Sequence, residues 1–127
     1  MRHRLAEEGI EAEVRSAGTL GFDGTPPSKE TIKVLSKDGV STEGLKSTPL
    51  SKEIIEWADI ILVMEPMHRM KVLTEDHNVE NKVELLGIYN PEREDIAIPD
   101  PIGRTFAFYR VTYRMVKQSI DGFLEQN

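Results

Sequence analysis

The order of apolar and polar residues predicts short strands separated by helices. Residues 59–64 form an almost unbroken apolar run, which is typical of a strand buried on both faces. Residues 82–86 predict a second buried strand, which ends at Gly87. Residues 10–15 alternate apolar and charged side chains, so they are expected to form a strand with one exposed face.

Helical patterns fill the segments between these strands. Helices are predicted at residues 2–8, 28–38, 51–57 and 65–73. Ser28 and Ser51 are suitable N-cap residues, because their hydroxyl oxygens can accept from the first free backbone N–H groups. Gly9 and Gly39 follow two of the helices, where glycine commonly ends a helix. Strands that alternate with helices predict an α/β fold, with a parallel sheet flanked by helices in three layers.

The apolar spacing also predicts which helical side chains are buried. Ile32 and Leu35 are expected to face inward from the helix at residues 28–38, and Ile54 and Ile55 from the helix at 51–57. The clearest helical face is C-terminal, where apolar residues recur every three or four positions: Phe106, Tyr109, Tyr113, Val116, Ile120 and Phe123. This periodicity favours core packing over a ligand site.

Composition narrows the function. A chain of 127 residues with 39% hydrophobic residues is expected to form one soluble domain, residues 1–127, and to be cytoplasmic. The net charge of −6 argues against nucleic acid or an anionic membrane as a partner. The chain has no cysteine, which excludes disulfides, thiolate metal sites and a cysteine nucleophile among these residues. No metal or other cofactor is expected.

One stretch near the C-terminus is a candidate for chemistry, namely Ile98-Pro99-Asp100-Pro101-Ile102-Gly103. Two prolines hold the backbone around a single carboxylate, and Gly103 lets the chain turn away. A rigidly presented carboxyl group suits a general acid, although the same sequence is typical of an ordinary turn. The stretch follows the last predicted strand. It can therefore lie at the carboxyl edge of the sheet, where α/β proteins place their functional residues.

Five segments, in this order, resemble the low-molecular-weight protein tyrosine phosphatases. They are Val14-Arg15-Ser16-Ala17-Gly18-Thr19, Gly24-Thr25-Pro26-Pro27, Ala58-Asp59-Ile60-Ile61-Leu62-Val63-Met64, Glu84-Leu85-Leu86-Gly87 and Asp100-Pro101-Ile102-Gly103. The resemblance covers essentially the whole chain. It implies a four-stranded parallel sheet with helices on both faces, and hydrolysis of phosphomonoesters through a phosphocysteine.

The resemblance also implies roles for individual residues. Asp100 would be the general acid that protonates the departing oxygen. Phe22 would line the substrate groove, where it could stack on an aryl phosphate, unless it is only a loop aromatic. Ile102 stands near a position where eukaryotic members carry tyrosine, so the rim of the groove is less aromatic here. Ser16 would support the phosphate loop with its hydroxyl, or would simply be a small residue at a strand exit.

The family's first strand and its signature Cys-x5-Arg-Ser have no counterpart in this sequence. Residues 1–9 align with the back half of the helix that follows the signature, so the chain is expected to be truncated relative to the family. Arg2 and Arg4 do not match the signature arginine. Without a thiolate nucleophile and a phosphate cradle, the chain is predicted to be inactive. The missing strand would be central, so closure of the gap, dimerisation through the open edge or N-terminal disorder is expected.

Two functions therefore stay open. The first is a phosphatase domain that would act on a phosphorylated protein or a small aryl phosphate if completed. The second is a non-catalytic module that binds a partner or dimerises on the same scaffold. An arsenate reductase shares the fold but needs several cysteines, and the chain has none. An in-frame strand and Cys-x5-Arg-Ser in the DNA upstream would favour the enzyme. The choice between phosphotyrosine and phosphoarginine is not readable from these residues.

Overall fold

In the computed structural model, which describes residues 1–92 and 96–127, the chain forms two units, residues 1–49 and residues 50–127. The loop predicted between Tyr89 and Arg104 includes residues 93–95, which lie outside the described residues. In the described part of the chain, no helix is long and apolar enough to cross a membrane.

The first unit contains two helices, α1 (Arg2–Glu7) and α2 (Lys29–Lys37). Both confirm the predicted helices. The N-cap of α2 is Ser28, whose hydroxyl accepts a hydrogen bond from the Thr31 N–H at 3.2 Å. A glycine in the left-handed region, Gly39, follows the end of this helix.

The burial predicted for α2 is wrong at one position. Val34 is the buried side chain of the helix, whereas Ile32 is 41% exposed. Leu35 is half-buried, because it lies beside the buried Val34 in the helix. The error arises because α2 carries few apolar residues, so several choices of inward face satisfy the same periodicity.

The strand predicted at residues 10–15 is not formed in the described structure. The Val14 carbonyl accepts hydrogen bonds from the Arg2 guanidinium at 2.7 and 3.1 Å. Ile10 is 43% exposed. The strand-like pairing described in this unit is a single parallel bridge between Gly18 and Pro49, supported by the Gly18 N–H donating to the Thr48 carbonyl at 2.8 Å. Alternation sets which side chains share a face, but a strand also needs a neighbouring strand, and no described residue outside the segment forms a strand with it.

The second unit carries the sheet. Its elements are α3 (Lys52–Trp57), β1 (Ile61–Val63), α4 (Pro66–Glu75), β2 (Val83–Leu85) and α5 (Phe106–Gln126), with 3₁₀ turns at His77–Lys82 and Leu86–Tyr89. The two strands pair in parallel, with Ile61 opposite Val83 and Val63 opposite Leu85. α4 and the first 3₁₀ turn form the crossover between them. A parallel sheet flanked by helices confirms the predicted α/β class.

The sheet strands are shorter and less buried than the sequence predicts. Val63 is buried, but Ile60, in the predicted strand and outside β1, is 45% exposed. An apolar run in the sequence favours a strand, but it does not show at which residue hydrogen bonding to the neighbouring strand begins. The described sheet has two strands, whereas the family resemblance implies four.

The core of this unit lies around the sheet. Ile55, Val63, Val72, Val79 and Val83 form one buried cluster. The burial of Ile55 confirms the inward face predicted for α3. Contacts of this kind contribute roughly 25 cal/mol for each Å² of apolar surface removed from water.

The C-terminal helix packs with the predicted face. Tyr109, Ile120 and Phe123 are buried, which confirms core packing for these aromatic and aliphatic residues. The Phe123 ring meets the Tyr89 ring edge-on, with 5.1 Å between centroids. Ser119 is fully buried, and its hydroxyl donates to the Met115 carbonyl at 2.7 Å, so its polar atom is satisfied within the helix.

Candidate active site

The loop of the candidate acid starts at the carboxyl end of the sheet. The Ile98 N–H donates to the carbonyl of Met64, the residue after β1, at 2.8 Å. The Ile98 side chain is 1% exposed, so it anchors the loop in the protein interior. The loop therefore lies where the order of strands and helices predicts functional residues in an α/β protein.

Asp100 stands on this loop as an exposed carboxylate. Its Oδ1 accepts a hydrogen bond from the Ile102 N–H at 3.0 Å, which is the geometry of an Asx turn. The Arg104 N–H then donates to the Pro101 carbonyl at 2.9 Å, and Gly103 has a φ of 75°. The turn fixes the carboxylate through one oxygen, while the group keeps access to solvent.

The loop passes directly into α5. The Thr105 hydroxyl caps this helix by accepting from the Phe108 N–H at 3.3 Å. The Arg104 guanidinium carbon lies 5.0 Å from the centre of the Phe108 ring, a cation–π distance. The exit of the loop is thereby held against the first turn of the helix.

Ile102 is the second predicted residue on this loop. Its backbone N–H bonds to Asp100, so the structure brings these two predicted site residues together. The Ile102 side chain is 70% exposed. An apolar surface of this size beside the carboxylate can contact an aryl group but offers it no hydrogen bond.

The other two predicted site residues, Phe22 and Ser16, belong to the first unit. Phe22 is 63% exposed on a loop that is closed by the Gly24 N–H donating to the Ser47 carbonyl at 2.8 Å. Ser16 is exposed and lies two residues before the bridge at Gly18. Leu20, on the same stretch as Phe22, is 72% exposed.

Two further polar contacts lie at the carboxyl ends of the strands. The Glu65 N–H donates to His68 Nδ1 at 3.2 Å. The Tyr89 hydroxyl donates to Glu84 Oε2 at 2.5 Å. This hydrogen bond, together with burial and the charge of Glu84, raises the pKa of Tyr89, while a hydrogen bond with Asn127 acts in the opposite direction. Sequence reasoning missed both contacts. Glu65 and His68 occupy the N-cap and N3 positions of a capping box, with histidine where Glu or Gln is usual. The spacing of Glu84 and Tyr89 is not a recognised motif.

Metal ions in proteins are bound by clusters of ligating side chains. Within residues 1–92 and 96–127 no cluster of three or more His, Cys, Asp or Glu side chains could hold a metal ion. The chemistry available at the site is that of a carboxylate with access to solvent beside apolar side chains.

The fold and this loop define an α/β protein with Asp100 as a candidate acid at the carboxyl edge of a parallel sheet. The sequence matches the model of the family described as low molecular weight phosphotyrosine protein phosphatase over residues 1–127. The chain therefore belongs to this family, which acts on phosphorylated proteins or aryl phosphates. The resemblance that the motifs carry is confirmed.

Individual relatives agree with this assignment. The low molecular weight protein-tyrosine-phosphatase Etp from Escherichia coli is 30% identical over 106 residues, which cover 84% of this chain and 70% of Etp. A protein-arginine-phosphatase from Geobacillus stearothermophilus is 28% identical over 114 residues, which cover 90% of this chain and 76% of the relative.

Solved structures share the fold. Wzb from Vibrio vulnificus in complex with benzylphosphonate superposes with a TM-score of 0.82 at 23% identity, covering 90% of this chain and 79% of Wzb. The YwlE arginine phosphatase from Geobacillus stearothermophilus superposes with a TM-score of 0.84 at 26% identity, covering 96% of this chain and 79% of YwlE.

Proposed function

We propose that this domain hydrolyses phosphomonoesters with Asp100 as its general acid, once a thiolate nucleophile and a phosphate loop complete it. The observation that carries this proposal is the Asp100 loop itself. It presents an exposed carboxylate between two prolines and is hydrogen-bonded to the end of β1 through Ile98 and Met64. An ordinary surface turn needs no such anchor in the sheet.

The reaction follows the pattern that the family resemblance implies. A cysteine thiolate attacks phosphorus and forms an S–P bond while the P–O bond to the leaving group breaks. Asp100 gives its proton to that departing oxygen, which makes an alcohol or phenol of it. Water then attacks the phosphocysteine, Asp100 takes the proton of the water, and inorganic phosphate and the thiolate are released. Phe22 and Ile102 would contact the organic group of the substrate, and Ser16 would support the phosphate loop.

These 127 residues alone are expected to be inactive. Proton transfer from a well-placed acid contributes about 100- to 10,000-fold to a rate. The absent groups contribute more, because one preorganised donor alone is worth about 100- to 1,000-fold and the nucleophile adds to it. An acid without a nucleophile cannot sustain turnover, and the sequence has no cysteine.

The test compares this chain with a completed chain, in which the family's first strand, Cys-x5-Arg-Ser loop and helix start precede Met1. The substrates are p-nitrophenyl phosphate, a phosphotyrosine peptide and a phosphoarginine peptide, since relatives of both names match the sequence. The 127-residue chain should show no turnover, and the completed chain should be active. On the phosphotyrosine peptide, whose leaving group needs a proton, Asp100→Asn should lower the kcat of the completed chain by about 100-fold or more. The control is Asp59→Asn, an exposed acid two residues before β1. Equal activity of the two variants would contradict the role of Asp100.

A non-catalytic module is the second candidate, and the sheet favours it. The described sheet has two strands of three residues each, so in the described residues each strand has one edge without a strand partner. Two-stranded sheets are marginal alone, and free edges pair readily with another chain. A second copy could add its own β1 and make one continuous sheet. Size-exclusion chromatography with light scattering tests this, and a monomer at high protein concentration would count against it.

The proposal also covers the domain organisation, the partners and the location of the protein. The family match spans both units, which supports the proposal that residues 1–127 act as one domain. The family match supports phosphorylated proteins or small aryl phosphates as partners. A cytoplasmic location is also expected. The net charge of −6 argues against nucleic acid or an anionic membrane as a partner. Binding to DNA–cellulose or to anionic vesicles at low salt would contradict this expectation.

A further inference from the structure

The loop of Asp100 is fixed at two points before it reaches the carboxylate. One is the 2.8 Å hydrogen bond from the Ile98 N–H to the Met64 carbonyl, just after β1. The other is a close approach of two backbones, in which the Ile96 carbonyl lies against Gly87, two residues after β2. The ends of both strands therefore hold the same loop.

Gly87 is needed here for its missing side chain and not for its conformation. Its φ is outside the left-handed region, so any residue could adopt its backbone. A Cβ at this position would overlap the Ile96 carbonyl oxygen and lie 2.7 Å from the carbonyl carbon. Both are backbone atoms, which cannot rotate away as a side chain can. An added methyl group must therefore displace the loop.

A displacement of the Ile96 backbone would also move Asp100, because the segment between them is held rigidly. The Ile96 side chain is 44% exposed, so at this residue the backbone contact is what fixes the loop. Ile98 is buried, and a single residue, Pro99, separates it from Asp100. The pyrrolidine ring fixes one of the backbone angles of Pro99, and Pro101 restricts Asp100 from the other side.

We propose that Gly87 is a positioning residue for Asp100: its bare backbone lets Ile96 lie against the end of β2 and thereby sets where the carboxylate stands. The inference rests on the proposed role of Asp100 as the acid, but the position of the loop can be measured without any catalysis. Gly87 itself touches no reacting atom.

The first measurement uses amide hydrogen exchange by NMR on the 127-residue chain. The quantity is the protection of the Ile98 N–H relative to that of buried amides in α5. Gly87→Ala should lower this ratio by about tenfold, because it opens the loop locally. The control, Val72→Ala, removes a buried side chain from the core cluster, so it should lower overall stability without lowering the ratio. Equal ratios in the two variants would overturn the proposal and leave the role of Asp100 untouched.

A second variant keeps the proposal testable if Gly87→Ala does not fold. Pro99 is exposed, and Pro99→Gly leaves both anchors in place while it frees the link to Asp100. The Ile98 N–H should then stay protected, and the Ile102 N–H, which bonds to Asp100 Oδ1, should lose its protection. Unchanged protection at Ile102 would show that the anchors do not set the position of the carboxylate.

In the completed chain, the dependence of kcat on the leaving group distinguishes a displaced acid from a general loss of stability. A displaced acid slows substrates whose leaving group needs a proton and spares those with an activated leaving group. Across a series of substituted phenyl phosphates, Gly87→Ala should therefore steepen the dependence of kcat on the leaving group, as Asp100→Asn does. A uniform loss across the series would overturn the positioning role. Full activity of Asp100→Asn would instead remove the proposed function.

Discussion

The backbone N–H of Ile98 donates to the Met64 carbonyl at 2.8 Å, and this bond joins the loop of the candidate acid to the end of β1. The Ile98 side chain below it is 1% exposed, although the loop around it is mostly at the surface. The buried side chain of Ile98 therefore anchors the loop to the protein core, as a core residue anchors a helix. Its burial is what separates this loop from an ordinary turn with the same prolines.

Truncating Ile98 should destabilise the protein far more than truncating Ile102 on the same loop. Ile98→Ala leaves a cavity in the interior and should cost about 2–5 kcal/mol of unfolding free energy. Ile102 is 70% exposed, so Ile102→Ala should change stability by no more than about 0.5 kcal/mol. Urea unfolding followed by the fluorescence of Trp57 measures both. Similar midpoints for the two variants would mean that Ile98 is not an anchor.

The ammonium group of Lys82 should stabilise the end of α3. Its Nζ donates to the carbonyls of Ile55 and Ala58, both at 2.7 Å, where the helix leaves carbonyls without partners. Lys82→Met keeps most of the apolar stem and removes both donors, so we expect a loss of about 1.5–3 kcal/mol. Thermal unfolding provides the measurement. Lys71→Met, at an exposed position of α4, is the control, and an equal effect there would rule out a specific capping role.

Tyr89 should make the folded protein sensitive to alkaline pH. The hydrogen bond to Glu84 raises the pKa of Tyr89 above its ordinary value of 10.0, so the folded protein holds this proton more tightly than the unfolded chain does. The stabilisation is fully present below pH 10 and is lost as the pH rises through the higher folded pKa. Ultraviolet titration of tyrosinate should show one late-ionising group that disappears in Tyr89→Phe.

The same titration separates the causes of the shift. Glu84→Ala removes both the hydrogen bond and the charge, so the pKa of Tyr89 should fall back toward its ordinary value. Stability measured between pH 9 and 11 should then decline less steeply than in the natural chain. A late-ionising tyrosine that persists in Glu84→Ala would show that burial, and not Glu84, dominates.

The helices and the sheet core follow from local rules that the sequence displays. Ser28 and Ser51 cap their helices, and the face of α5 that buries Tyr109 and Phe123 repeats with the helical period. These features depend on neighbours in sequence, so a reader of the sequence can find them. The position of the Asp100 loop could also be predicted, because parallel strands direct their carboxyl ends to one edge.

The failures concern relations between distant residues. Residues 10–15 have the alternation of a strand, yet in the described structure the Val14 carbonyl bonds to the Arg2 side chain and no strand pairs with this segment. The approach of Ile96 to Gly87 likewise depends on how the chain returns on itself. No local pattern encodes such contacts, so they appear only in the folded structure.

Gly122 should be required where α5 crosses the turn that follows β2. A Cβ at this position would overlap the Tyr89 carbonyl oxygen and lie 2.9 Å from its carbonyl carbon. Because the obstacle is backbone, Gly122→Ala should cost about 1–3 kcal/mol of unfolding free energy, even though alanine favours a helix. Gly18→Ala is the matched control, since its Cβ would meet no atom within 4 Å and its φ is not left-handed. That variant should be neutral or more stable by about 0.4–1 kcal/mol, through the unfolded state. Chemical denaturation of both variants gives the comparison, and a Gly122→Ala protein at least as stable as the natural chain would show that the helix and the turn are not in close backbone contact.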